Sequence, residues 1–76
     1  MSIDNLAKER RVKLYENYAK LRDERNMTDY EVSKQTGIAT ATLSNWKNGN
    51  YTPKLEKLKA IAAFFEVPLS AIVGEV

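Results

Sequence analysis

The chain has 76 residues with a formal net charge of +2, 43% hydrophobic and 29% charged side chains, no cysteine and no histidine. That length holds one modest core and leaves no room for a separate catalytic domain beside it. Without cysteine or histidine, disulfides, Cys/His zinc sites and histidine-assisted nucleophilic catalysis are excluded, so neither metal nor cofactor is expected and an enzyme is the weakest reading. Ser2 to Leu6 is too polar for a signal peptide and no apolar run approaches membrane length, which makes a cytoplasmic protein the expectation.

In chain order, Asp4 is placed to cap a first helix that runs to about Arg25 on Leu6, Val12, Leu14, Tyr15, Tyr18, Ala19 and Leu21. Leu14, Tyr18 and Leu21 form its inward stripe. The part before Val12, with Lys8, Glu9, Arg10 and Arg11, carries more charge than a core helix needs. Residues 1–12 are therefore set apart as a basic helical extension, and residues 13–74 as the domain proper.

Thr28 followed three residues later by Glu31 is a capping box, and Met27 with Val32 can form the accompanying hydrophobic staple. A second helix starts at Thr28 and runs about two turns to Gly37, a residue that takes a left-handed backbone without a Cβ penalty. From Ala39 to Asn48 the three-and-four spacing resumes around Leu43 and Trp46, until Gly49 supplies a second stop. Two short helices about a tight turn are a helix-turn-helix.

At about 100° per residue from Thr40, Ser44 falls near 40°, Asn48 near 80°, Ala41 near 100° and Asn45 near 140°, whereas Ala39, Thr42, Leu43 and Trp46 fall between about 200° and 300°. The outward side thus carries small, uncharged, hydrogen-bonding or methyl groups where a solvated face generally carries Glu, Lys and Arg. It suits a contact surface such as a DNA groove. There is no acid between Glu31 and Glu56, an interval that contains Lys34, Lys47 and Lys54, and a phosphate backbone tolerates such a stretch. Trp46, on the apolar side beside Leu43, is expected to be structural.

Thr52-Pro53 reads as an N-cap followed by proline at the first position of a fourth helix. Leu55, Leu58, Ile61, Ala62 and Phe65 repeat at helical spacing and should close the core over Leu43 and Trp46, with Phe64 off the stripe. Val67-Pro68 ends that helix, and Leu69 to Val73 forms a short fifth one stopped by Gly74. Phe64, Ile72, Val73 and Val76 are more apolar than a chain end needs and suggest a dimer surface.

Leu21-Arg22, Thr28 and Glu31, Gly37-Ile38, Leu43-Ser44 with Trp46, the Gly49 to Pro53 segment and the apolar run through Ile61 to Val67 together carry a likeness. Residues Leu14 to Leu69 resemble the DNA-binding domain of lambda-repressor-like regulators, the xenobiotic-response-element helix-turn-helix family. The resemblance implies an all-α, five-helix bundle with helices 2 and 3 as the helix-turn-helix, the third entering the major groove, and dimers reading two half-sites about one turn apart. It makes Thr40, Ala41, Ser44 and Asn45 base-contacting, and Arg22, Thr28, Asn48, Tyr51 and Lys54 phosphate-contacting.

Three positions depart from the family pattern. Asp29 stands where a phosphate-binding glutamine is frequent, and an acid there would repel phosphate, although it suits a helix N-terminus. Ala39 replaces a frequent serine cap. Lys47 replaces a glutamate that usually pairs with the arginine at position 22, which leaves Arg22 free for phosphate. The function implied is a sequence-specific double-stranded DNA-binding transcriptional regulator, a repressor acting as a homodimer without metal or membrane. A protein-interaction module, such as an antitoxin-like partner protein, is the alternative. RNA reading is disfavoured because only Tyr51 offers a stacking aromatic near the motif.

Overall fold

The computed structural model describes residues 3–74, with side chains from Leu6 onward. Five helices follow one another without a strand among the described residues: α1 (Ile3–Glu24), α2 (Asp29–Thr36), α3 (Thr40–Lys47), α4 (Leu55–Phe64) and α5 (Ser70–Val73). The long α1 lies against α3 and α5, α2 against α3 and α4, and α4 against α5. Asp4 lies inside α1 rather than capping it, because helical geometry already begins at Ile3. Secondary structure does not break at residue 12, and residues 3–12 of the basic extension form the first half of α1.

The core is built around Trp46, which has no exposed surface, with Tyr18, Leu43, Ile61, Ile72 and Val32 equally enclosed around it. Tyr18 stacks on the indole at 5.3 Å between ring centroids, and Tyr15 meets it edge-on at 5.5 Å. A large aromatic ring excludes more water than any aliphatic side chain, and offset or edge-on pairs add to that burial. The inward stripe of α1 is accordingly Tyr15 and Tyr18. Leu14 and Leu21, expected in that stripe, are only half-buried on its flanks.

Polar contacts tie the other elements to α1. Asn17 Nδ2 donates to the Ile72 carbonyl at 2.8 Å, and Arg11 Nε donates to the Gly49 carbonyl at 2.6 Å. Arg25 Nη2 donates to the Phe65 carbonyl at 2.8 Å, with its guanidinium over the Phe65 ring at 5.2 Å. A cation at a helix C-terminus meets the negative end of the helix dipole.

The helix ends follow hydrogen-bond bookkeeping. Thr28 caps α2 with both bonds of the capping box, and Gly37 closes it at φ 78. The ends of α1, α3 and α4 share one closure, in which a left-handed residue lets the next amide reach back to the helix. Its members are Asn26 with Met27 N to Arg22 O, Gly49 with Asn50 N to Asn45 O, and Glu66 with Val67 N to Ala62 O. This is the Schellman arrangement, which satisfies carbonyls the helix leaves unpaired.

Several expectations about the second half are corrected. Helix α4 begins at Leu55 with Lys54 as its cap, not at Thr52-Pro53, because the Lys54 carbonyl accepts the first two amide bonds, from Lys57 and Leu58. Pro53 is instead a buried residue of the irregular segment before it. Leu55, in the first turn, is 54% exposed and outside the core. Helix α4 stops at Phe64, before Val67-Pro68, through the left-handed Glu66. Phe64 is half-buried and packs on the core, and Ile72 belongs to the core outright, so Ile72 is not available for a dimer surface. Val73 is exposed, and Val76 lies outside the described residues.

Candidate nucleic-acid interface

Helices α2 and α3 meet through the Gly37 to Ala39 turn, with Ile38 buried beneath it. Because Leu43 and Trp46 anchor α3 from inside, the opposite side of the helix faces solvent. Thr40, Ala41, Ser44, Asn45 and Asn48 are all exposed there, and among the described residues none of their side chains is held by a hydrogen bond to another side chain or the backbone. Ala39 caps α3 without a side-chain bond and is exposed, which removes it from the apolar side assigned to it. Hydroxyl, amide and methyl groups in this order offer donors, acceptors and apolar contacts, the set that major-groove base edges present in return.

Of the phosphate positions inferred from sequence, Asn48, Tyr51 and Lys54 are exposed along the segment that leaves α3 and enters α4. Thr28 is exposed at the start of α2, where its Oγ1 accepts from the Glu31 amide at 3.1 Å. Arg22 is different. Its side chain is 19% exposed, and Nη1 donates to Asp29 Oδ1 at 2.8 Å and to the Tyr15 hydroxyl at 2.9 Å, while Nη2 meets Asp23 at 2.9 Å. Arg22 is therefore not free for phosphate: without the usual acid on α3 it takes its partner from the first residue of α2.

Asp29 in turn accepts from three groups, with the Tyr15 hydroxyl on Oδ2 and the Tyr18 hydroxyl on Oδ1, both at 2.7 Å, besides Arg22. Burial would raise the Asp29 pKa, but the hydrogen bonds from Tyr15, Tyr18 and Arg22, together with the Arg22 charge, hold it below the ordinary carboxylate value. Burial and donation to Asp29 push the Tyr15 phenol up to about 12, and the same two causes push Tyr18 higher still. The carboxylate is thus neutralised from within, at the positive end of a helix dipole, and the bare negative charge expected here is absent. Lys47, released from any such pairing, is exposed on the same shallow notch as Thr28, Asp29 and Arg22.

Sequence reasoning missed the hydroxyls of Tyr15 and Tyr18 and the side chain of Arg11. The signal was the choice of tyrosine over leucine or phenylalanine at two inward positions, since a buried phenol needs a partner. Arg11 gave no signal, because its acceptor lies 38 residues away.

Two short helices joined by a tight turn, the second buried on one side and exposed on the other, form a helix-turn-helix. The chain belongs to the helix-turn-helix family of the lambda-repressor-like type: the helix-turn-helix family model matches residues 19–72. It is 33% identical over 55 residues to the cryptic phage CTXphi transcriptional repressor RstR of Vibrio cholerae, covering 72% of this chain and 50% of that protein. Over 55 residues it is 31% identical to the immunity repressor protein of Bacillus phage phi105, covering 72% of this chain and 38% of the relative. Similarity to the HTH-type transcriptional activator BcrR of Enterococcus faecalis is 29% over 59 residues, or 78% of this chain and 29% of the activator. The chain therefore spans half the length of these relatives or less. No solved structure matches it.

Proposed function

We propose that the chain is a sequence-specific double-stranded DNA-binding transcriptional regulator that reads the major groove with α3 and acts as a repressor. The observation that carries this reading is the row Thr40, Ala41, Ser44 and Asn45, exposed and uncharged on a helix whose other side is fixed by the core. The family match supports DNA as the ligand, and two of the three relatives above are named repressors. Asn45 would present its amide to adenine N6 and N7, and Thr40 and Ala41 would place methyl groups on thymine methyls, so each half-site should contain A·T pairs. Thr28, Asn48, Tyr51 and Lys54 would hold the backbone and set the register without reading sequence.

Four base-facing side chains on one small domain fall short of specific affinity, which favours two copies on two half-sites. Ile72 serves the core, so the described apolar residues left for a dimer surface at this end are Val73, exposed on α5, and the half-buried Phe64. Selection from random duplexes, followed by sedimentation of the complex on the enriched sequence, tests both claims. The expected outcome is a two-half-site consensus with centres about 10 base pairs apart, bound by two chains. Absence of any enriched sequence would overturn the reading, and one chain per two-half-site duplex would overturn the homodimer.

A further inference from the structure

The first half of α1 lies outside the family match, which begins at residue 19, and its charges are segregated. At about 3.6 residues per turn, Lys8, Arg10 and Arg11 fall within one half of the helix circumference, whereas Glu9 and Glu16 fall together in the other half, beside Lys13 and Lys20. From Leu6 to Lys20, the side with Lys8, Arg10 and Arg11 carries no acid.

Tertiary packing aims that basic side at the end of the reading helix. Lys8 Cγ and Val12 Cγ2 lie 2.7 and 3.0 Å from where a Cβ on Gly49 would stand, so the lysine stem covers the glycine that closes α3. Arg11 Nε donates to the Gly49 carbonyl, which occupies that guanidinium with holding α3 against α1. Arg10 lines a groove with Asn50, Tyr51 and Thr52, the segment that continues from α3. Lys8 and Arg10 are exposed and Arg11 is half-buried, so the first two charges are available and the third is structural.

A helix seated in the major groove emerges at its C-terminal end beside the sugar-phosphate ridge, and cations flanking that end meet phosphate. Resting on the reading of α3 as the groove-bound helix, we propose that Lys8 and Arg10 contact the phosphodiester backbone next to the bases α3 reads. They would extend the footprint of the domain beyond the helix-turn-helix, with Arg11 as the positioning residue that fixes α1 to α3.

Each phosphate neutralised by a cation steepens the dependence of log K on log salt by about 0.9. Titrations of wild type and of Lys8→Gln/Arg10→Gln against the selected duplex and a random duplex, over a range of potassium chloride, read that slope. The double variant should be shallower by about 1.8 per bound chain on both duplexes while keeping the ratio between them. Lys13→Gln/Lys20→Gln removes the same formal charge from the opposite side of the helix and should change the slope far less. Arg10→Gln alone, whose side chain covers no glycine, should lower it by about 0.9 per bound chain and decides the matter if the double variant melts.

A wild-type slope in the Arg10 variants, or a change no larger than that of the control pair, would overturn the inference while leaving α3 as the reader. A wild-type chain with no salt-dependent affinity for duplex DNA would overturn both.

Discussion

Asp29 shows how one substitution is absorbed by its neighbours. An acid in the first turn of α2 sits at the favourable end of the helix dipole, and the hydroxyls of Tyr15 and Tyr18 with Arg22 Nη1 saturate its oxygens. Removing its charge leaves three donors without a charged acceptor, and hydrogen bonds to charged groups are worth about 1.5 to 3 kcal/mol each. Asp29→Asn should therefore lower stability near neutral pH by about 1 to 3 kcal/mol. Because the folded pKa lies below the ordinary 3.8, that stability is whole above the ordinary value and is lost as pH falls through the folded one. Thermal melts followed by circular dichroism from about pH 7 to about pH 3 should show the gap between wild type and variant closing below about pH 4. A gap that stays constant into acid would show that the carboxylate charge is not what stabilises this corner.

At the scale of elements, local signals carried some boundaries and not others. The capping box at Thr28 and the stops at Gly37 and Gly49 were legible because each is written in residues a few positions apart. The start of α4 was not, because Thr52-Pro53 matches a helix opening locally while tertiary packing buries Pro53 in an irregular segment. Nor was its end: Glu66 adopts φ 58, a conformation the identity of a glutamate does not announce. The two internal glycines separate intrinsic from tertiary demands. Gly37 has open space where a Cβ would stand, so Gly37→Ala should cost only the left-handed penalty of about 1 to 2 kcal/mol. Gly49 has nearly the same φ, but a Cβ there meets Lys8 and Val12. Gly49→Ala should lower the melting temperature further than Gly37→Ala, and Lys8→Ala added to it should restore part of the difference. Equal losses at both glycines would mean that α1 yields freely at this contact.

For the molecule as a whole, α1 and Arg25 just past its end organise the bundle, sending a hydrogen bond to α2, to the end of α3, to the end of α4 and to α5. Little of that hub was visible in the sequence, since each bond joins residues separated by 11 to 55 positions. The exposed face of α3 was visible, because Leu43 and Trp46 fix its phase within the helix itself. The role of Arg22 was not legible, because its acid had moved from α3 to α2, a change in partner that helical periodicity cannot reveal.

The central claim is that this face reads bases, and Asn45 tests it most directly. Competition titrations of wild type and Asn45→Ala would be made against every base at each half-site position and against random duplex. A loss of about 1 to 3 kcal/mol confined to the preferred site, with relaxed preference at one base pair and unchanged random binding, is the predicted result. Equal loss on both duplexes, or no loss on either, would contradict base reading by α3.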